Sequence, residues 1–164
     1  MSTEASKALV ELEMFRRFAT ASGLPVAEGT ERKGDATLGE PDILCTLSGQ
    51  LTGFELAEAC APEFAEAVAT ALRSSTGVVG VWGDDVSHVT LRKKLTKRYA
   101  VRYPVHLLLY RNGLTVLTDD VIIARVQPEF TKGLGQFLSV WFHGDKAYCV
   151  AVVNETSEPD TLTL

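Results

Sequence analysis

From Thr3 to Ser22, Ala5, Ala8, Leu9, Leu12, Phe15 and Ala19 fall on one side of a helical projection, and Glu13, Arg16, Arg17 and Thr20 fall on the other. The pattern predicts an amphipathic helix, stopped by Gly23 and Pro25. Residues 28–40 are polar and glycine-punctuated, with room for a short strand. They lead into a strand at 43–47 (Ile-Leu-Cys-Thr-Leu), a Ser48-Gly49-Gln50 hairpin turn and a second strand over 52–59.

Pro62 suits the first turn of a further helix, whose Phe64, Val68 and Leu72 share one stripe. Residues 78–82 read as a short buried strand and 86–99 as a helix. Residues 104–110 (Pro-Val-His-Leu-Leu-Leu-Tyr) form the strongest strand pattern in the chain, followed by a turn at Arg111-Asn112-Gly113. Strands are predicted near 121–126, 137–142 and 147–153, with a short helix around 128–134 and a turn at Gly144-Asp145. Trp82, Phe137, Trp141 and Phe142 lie in apolar stretches and are assigned to the core. No internal repeat or long linker divides the chain. The expected architecture is a single α/β domain over residues 1–154, one mixed β-sheet flanked by helices, with residues 155–164 as a frayed tail.

With 164 residues, 46% of them hydrophobic, the chain has enough apolar surface for one core, so global disorder is not expected. It contains no run of eighteen apolar residues, and the stretch from Met1 to Lys7 is polar with no apolar segment of signal-peptide length behind it. Cys45, Cys60 and Cys149 are odd in number and widely spaced, which supports neither a disulfide framework nor a zinc cluster. A cytoplasmic protein without membrane partners is the expectation. The formal net charge of −5 argues against coating nucleic acid through bulk electrostatics, but leaves room for a local basic groove.

Candidate chemistry concentrates in Glu40-Pro41-Asp42-Ile43-Leu44 and Gly53-Phe54-Glu55-Leu56-Ala57. If the two strands form a hairpin, Asp42 at the start of one and Glu55 within the next converge. Two carboxylates so placed can share a hard divalent cation such as Mg2+, which activates water and offsets charge developing on a phosphoryl group.

In these residues the chain resembles the PD-(D/E)xK, or restriction-endonuclease-like, superfamily. There a helix precedes a mixed sheet carrying Pro-Asp and then Asp/Glu-x-Lys on successive strands. Pro41-Asp42 matches the first element; Glu55-Leu56-Ala57 matches the second except at its lysine. The resemblance covers roughly residues 3–110 and implies a restriction-endonuclease-like fold that binds DNA or RNA and hydrolyses phosphodiesters with Mg2+. It implies metal ligands Asp42 and Glu55. Glu11, on the first helix between Phe15 and Phe18 of the apolar arc, corresponds to the helix glutamate that assists the metal in many members. Ala57 can neither orient a water nor stabilise a charged transition state. The lysine migrates to a neighbouring element in some members, and Lys94, at the edge of the Leu91 and Leu95 stripe, is the first substitute here, ahead of Lys93 and Lys97. The implied catalytic set is therefore Asp42, Glu55 and Lys94.

The basic cluster Arg92, Lys93, Lys94, Lys97, Arg98 and Arg102, interleaved with Tyr99 and Tyr103, is a candidate phosphate-binding surface. Each feature has a plainer reading as well. Asp42 can be a turn or cap residue, Glu55 and Glu58 solvent-facing strand positions, Glu11 a surface partner of Lys7, and the basic helix a solvated face. On those terms the chain is a catalytically degenerate nuclease-fold domain acting as a protein-binding or regulatory module. His88, His106 and His143 have no metal-binding spacing, and His106 in its apolar strand reads as a hydrogen-bonded core histidine. No serine or cysteine has a nucleophile elbow or adjacent base motif, and Gly133-Leu134-Gly135 is too sparse for a phosphate loop.

Overall fold

The computed structural model describes residues 3–59, 86–111 and 117–153. Helix α1 (Thr3–Ser22) forms where predicted, but its buried stripe is Glu11, Met14, Phe15 and Phe18. The helix is rotated so that the two phenylalanines reach the sheet, which leaves Leu9, assigned to the apolar side, 59% exposed. Burying two aromatic rings outweighs burying one leucine.

Six strands follow: β1 (Arg32–Lys33), β2 (Ile43–Leu47), β3 (Gln50–Glu58), β4 (Val105–Tyr110), β5 (Ser139–His143) and β6 (Ala147–Val152). They lie in the order β1-β2-β3-β4-β5-β6. The β1/β2, β2/β3 and β5/β6 pairs are antiparallel, whereas β3/β4 and β4/β5 are parallel. Ser48 and Gly49, both at positive φ, close the two-residue β2–β3 hairpin, and this turn sets Ile43 opposite Phe54. Strand β4 lies centrally between parallel neighbours, which is why its sequence reads as an almost continuous apolar run.

The sheet is covered on both faces. Met14, Phe15 and Phe18 pack with Ile43, Phe54, Leu56 and Leu108 on one. On the other, helix α2 (Val86–Thr96) and helix α3 (Asp119–Val126) bring Leu91, Ile122 and Val126 against Ala57, Leu107, Leu109 and Phe142. Phe137 and Phe142 are fully buried and Trp141 is half-buried against Phe18, as the core assignment requires.

Residues 121–126 form α3 rather than the predicted strand. Their β-branched run suggested a strand, but Asp119 and Asp120 in the first turn favour a helix N-terminus, and Ile122 and Val126 meet the core at four-residue spacing. The helix expected over 86–99 ends at Thr96, and Tyr99 beyond it is held by Gln136, which accepts from its backbone N–H. A 3-10 helix (Gln127–Lys132) occupies the predicted short-helix region. The expected helix from Pro62, the strand at 78–82 with Trp82, most of the Arg111-Asn112-Gly113 turn and the tail lie outside the described residues. Among the described residues no helix is long and apolar enough to cross a membrane.

Candidate functional site

The β2–β3 ladder ends at the Ile43/Phe54 pair, and Asp42 continues it with its side chain. The Leu56 N–H donates to Asp42 Oδ2 at 2.9 Å, and the Asp42 N–H donates to Glu55 Oε2 at 3.3 Å. On the other side the Gly34 N–H donates to the Asp42 carbonyl at 2.9 Å. Asp42 is therefore fixed by backbone contacts from both neighbouring strands.

Glu55 is fully buried, which excludes its reading as a solvent-facing residue. Alternation along β3 points it, like Ala57, toward the face covered by α2. Ala57 lies in the apolar cluster with Leu91, so position 57 is occupied by packing. The cations come from α2 and the residues just past it. Lys94 Nζ bonds Glu55 Oε1 and stands 3.5 Å from Asp42 Oδ2. Lys97 Nζ donates to the same Glu55 oxygen at 2.9 Å.

Glu11 is 3% exposed, on the opposite face of the sheet. It bonds Lys33, whose ammonium also donates to Asp42 Oδ1 at 3.3 Å, and it lies 3.7 Å from Lys7. The pairing with Lys7 exists, but Glu11 is not the exposed residue that reading assumed. It reaches Asp42 through Lys33 rather than by sharing an ion with it. The result is an alternating chain, Glu11, Lys33, Asp42, Lys94, Glu55, Lys97, that crosses from one face of the sheet to the other. Each of the three carboxylates thus has at least one ammonium partner, with Lys7 a further one on Glu11, so none is buried unpaired.

These neighbours shift the ionisation of the chain's members. Burial opposes the Asp42 charge, yet Lys94, the Leu56 N–H and Lys33 together hold its carboxyl below the ordinary value. Burial likewise disfavours the Lys33 ammonium, and the hydrogen bond to Glu11 with the charge of Asp42 outweighs it and raises that lysine. Burial and then the charge of Glu55 push the Tyr99 phenol well above its usual range.

The remaining basic residues do not converge. Arg92 makes a two-pronged pair with Glu129 at 2.8 Å on each arm, and Lys93, Arg98 and Arg102 are exposed with no ion pair to a described residue. Lys33 was missed in the sequence. It sits in a polar stretch, and only the pairing of β1 with β2, which sets Lys33 opposite Ile43, brings it to Asp42.

Among the described residues, no group of three or more histidine, cysteine, aspartate or glutamate side chains is arranged to hold a metal ion. Magnesium commonly takes only one or two protein carboxylates and completes its shell with water and substrate phosphate. Asp42 and Glu55 supply such a pair of hard oxygen donors, so the residues fit that cation, while Glu11 stands apart from them.

Elsewhere, His106 Nδ1 lies 2.7 Å from Ser139 Oγ, which accepts from Trp141 Nε1 at 2.8 Å, and the imidazole lies 5.1 Å from the Phe54 ring, tilted by 30°. This is the hydrogen-bonded core histidine expected from its strand. Burial holds His106 and His143 below the ordinary imidazole range. Both are neutral in the folded protein at pH values where the unfolded chain, titrating near about pH 6.5, already binds protons. Stability is thus fully present above that value and declines as the pH falls below it. Urea unfolding should show a lower midpoint at about pH 5.5 than at about pH 7.5, and His106→Gln should flatten the difference. An unchanged midpoint would contradict the neutral, buried state. Burial also pushes the Cys45 thiol up to about 11, which suits a packing residue rather than a nucleophile.

Compared with protein families, with curated proteins and with solved structures, the chain matches none.

Proposed function

We propose that this chain is a cytoplasmic protein of restriction-endonuclease-like fold that binds DNA or RNA and hydrolyses phosphodiesters with a divalent metal at Asp42 and Glu55. The observation that carries the reading is the position of Lys94, whose ammonium reaches from α2 to both carboxylates. It supplies at the site the cation that Ala57 withholds. The order of helix, antiparallel strand pair, helix and parallel strand supports the same reading. So does energetics: burying the carboxylates Glu11 and Glu55, even ion-paired, is often no more stabilising than an apolar replacement, so their presence suits chemistry better than stability.

In this reading Asp42 and Glu55 hold the metal, which when bound supplies Lewis acidity and an activated water. Asp42 is kept ionised by its neighbours and is ready to ligate without losing a proton. Lys94 places a positive charge where negative charge develops on the phosphoryl group. Glu11, through Lys33, orients Asp42.

A second reading is favoured by one observation, the pairing of every carboxylate of the site with ammonium groups of the protein, Lys7, Lys33, Lys94 and Lys97, which leaves its negative charge neutralised by the protein itself. In that case the domain is a catalytically degenerate protein-binding or regulatory module.

The test is Mg2+- or Mn2+-dependent cleavage of single- and double-stranded DNA and RNA by the parent and by Asp42→Asn, Glu55→Gln and Lys94→Ala at equal folded content. Cleavage that chelator abolishes and the carboxylate variants lack is expected. Lys94→Ala should lower kcat by about 100-fold, as removal of one charge-stabilising donor does, with Lys94→Arg recovering part of it. A parent inert on every substrate overturns the catalytic reading in favour of the second.

A further inference from the structure

We propose that Lys97 is a displaceable counterion that regulates metal entry: seated on Glu55 it occupies the carboxylate, and a divalent cation must drive it off. The inference rests on the reading of Asp42 and Glu55 as a metal pair and adds to it a control residue.

Two ammonium groups converge on the single oxygen Oε1 of a fully buried glutamate, and they are held very differently. The Lys94 side chain is 23% exposed, lies within α2 and is tied to both carboxylates. The Lys97 side chain is 46% exposed, lies just past the end of the helix and touches only Glu55 of the pair. Like charges crowded on one acceptor oppose each other, so the partner with access to water is the one that yields.

Lys97 also has somewhere to go. A polar cavity of about 170 Å³ adjoins the site, lined by Lys7, Glu11, Lys33, Glu40, Asp42 and Lys97 itself. Glu11 and Glu40 are already paired there with Lys33 and Arg32, so the cavity gives the departing ammonium an acidic, water-accessible lining rather than a new fixed partner. The Lys97 ammonium also stands 4.9 Å from the centroid of the Tyr99 ring, whose π face continues to attract it as it leaves Glu55. Displacement therefore costs less than expelling Lys94, which would break ion pairs to Asp42 and Glu55 at once.

In the metal-free state Lys97 thus takes the acceptor position that a metal needs. Metal entry exchanges one cation for another at Glu55, and the released ammonium moves into the cavity beside Asp42 that it already lines. Binding of metal and release of the Lys97 ammonium are then one event.

The test is Mn2+ binding to the full chain, followed by electron paramagnetic resonance, in the parent, Lys97→Met and Lys97→Arg. Lys97→Met is expected to bind about tenfold tighter than the parent, because a unit charge near the site no longer opposes the metal. Lys97→Arg, which keeps the charge, should not exceed the parent. Equal or weaker binding by Lys97→Met overturns the proposal and leaves the metal pair standing. Binding by neither overturns the metal reading and this inference together. The parent alone gives an independent decision if Lys97→Met does not fold. With lysines carrying 13C-labelled methyl groups, the Lys97 signal should move toward its solvent-exposed position on addition of Mg2+. A Lys97 signal that stays fixed while Mg2+ binds overturns the proposal.

Discussion

Asp42→Asn and Glu55→Gln should each reduce the proposed metal-dependent phosphodiester cleavage by about 1,000-fold, the expected result of losing several kcal/mol of transition-state charge stabilisation. Each substitution keeps the shape of the side chain and removes its charge. For Asp42 the amide can still accept the Leu56 N–H through its carbonyl oxygen, so the backbone geometry survives while the attraction for a cation does not. Glu55→Gln leaves Lys94 and Lys97 facing a neutral group, and Lys97, being half in solvent, turns outward. Both variants should therefore fold, and far-ultraviolet dichroism with urea midpoints checks it. Losses below about tenfold in both, with the fold intact, would mean that cleavage does not pass through these carboxylates. Glu11→Gln should have a smaller effect, about 10- to 100-fold, since Glu11 acts on Asp42 only through Lys33.

Gly34→Ala should destabilise the protein by about 1–3 kcal/mol and weaken the proposed metal binding at the same time. A Cβ at position 34 would stand 1.8 Å from the Pro41 carbonyl oxygen, an impossible approach to a backbone atom. Relief requires the Pro41-Asp42 segment to move, and the Gly34 N–H to Asp42 carbonyl bond goes with it. Pro41 has no slack toward β3 either, because its ring already packs against Gly53, where a Cβ would approach Pro41 Cγ to 2.4 Å. Gly29→Ala is the control. Its φ is +72° but a Cβ there meets nothing within 4 Å, so it costs only the left-handed conformation, about 1 kcal/mol, and leaves metal affinity alone. Urea unfolding and Mn2+ titration of the two variants check this, and a Gly34→Ala protein with unaltered stability and metal affinity would contradict the tight packing of the motif against β1.

Much of the local structure was readable from spacing. The twenty-residue periodicity of α1, the Ser48-Gly49 turn and the apolar runs of β2 and β4 are short-range signals, and each element forms where its pattern lies. The resemblance of Pro41-Asp42 and Glu55-Leu56-Ala57 to a known motif singled out Asp42, Glu55, Glu11 and Lys94, and the structure joins these four in one ionic chain. Where competing local preferences were close, pattern failed. The β-branched run at 121–126 suits a strand by propensity and a helix by the placement of Ile122 and Val126, and contact with the core decides for the helix.

By itself the sequence determined what depends on residues near one another in the chain: the main helices and strands, the hairpin that aligns Asp42 with Glu55, and the apolar surface for one two-faced sheet. Only the tertiary structure decided which way α1 turns, that Lys33 joins Lys94 on Asp42, and that Lys94 and Lys97 split off from Arg92, Lys93, Arg98 and Arg102 to share one glutamate. The reason is physical. The turn of α1 depends on which side chains the sheet can bury, and the other two choices on which charges are brought together; in each case the cost of the alternative is set by neighbours far away in sequence.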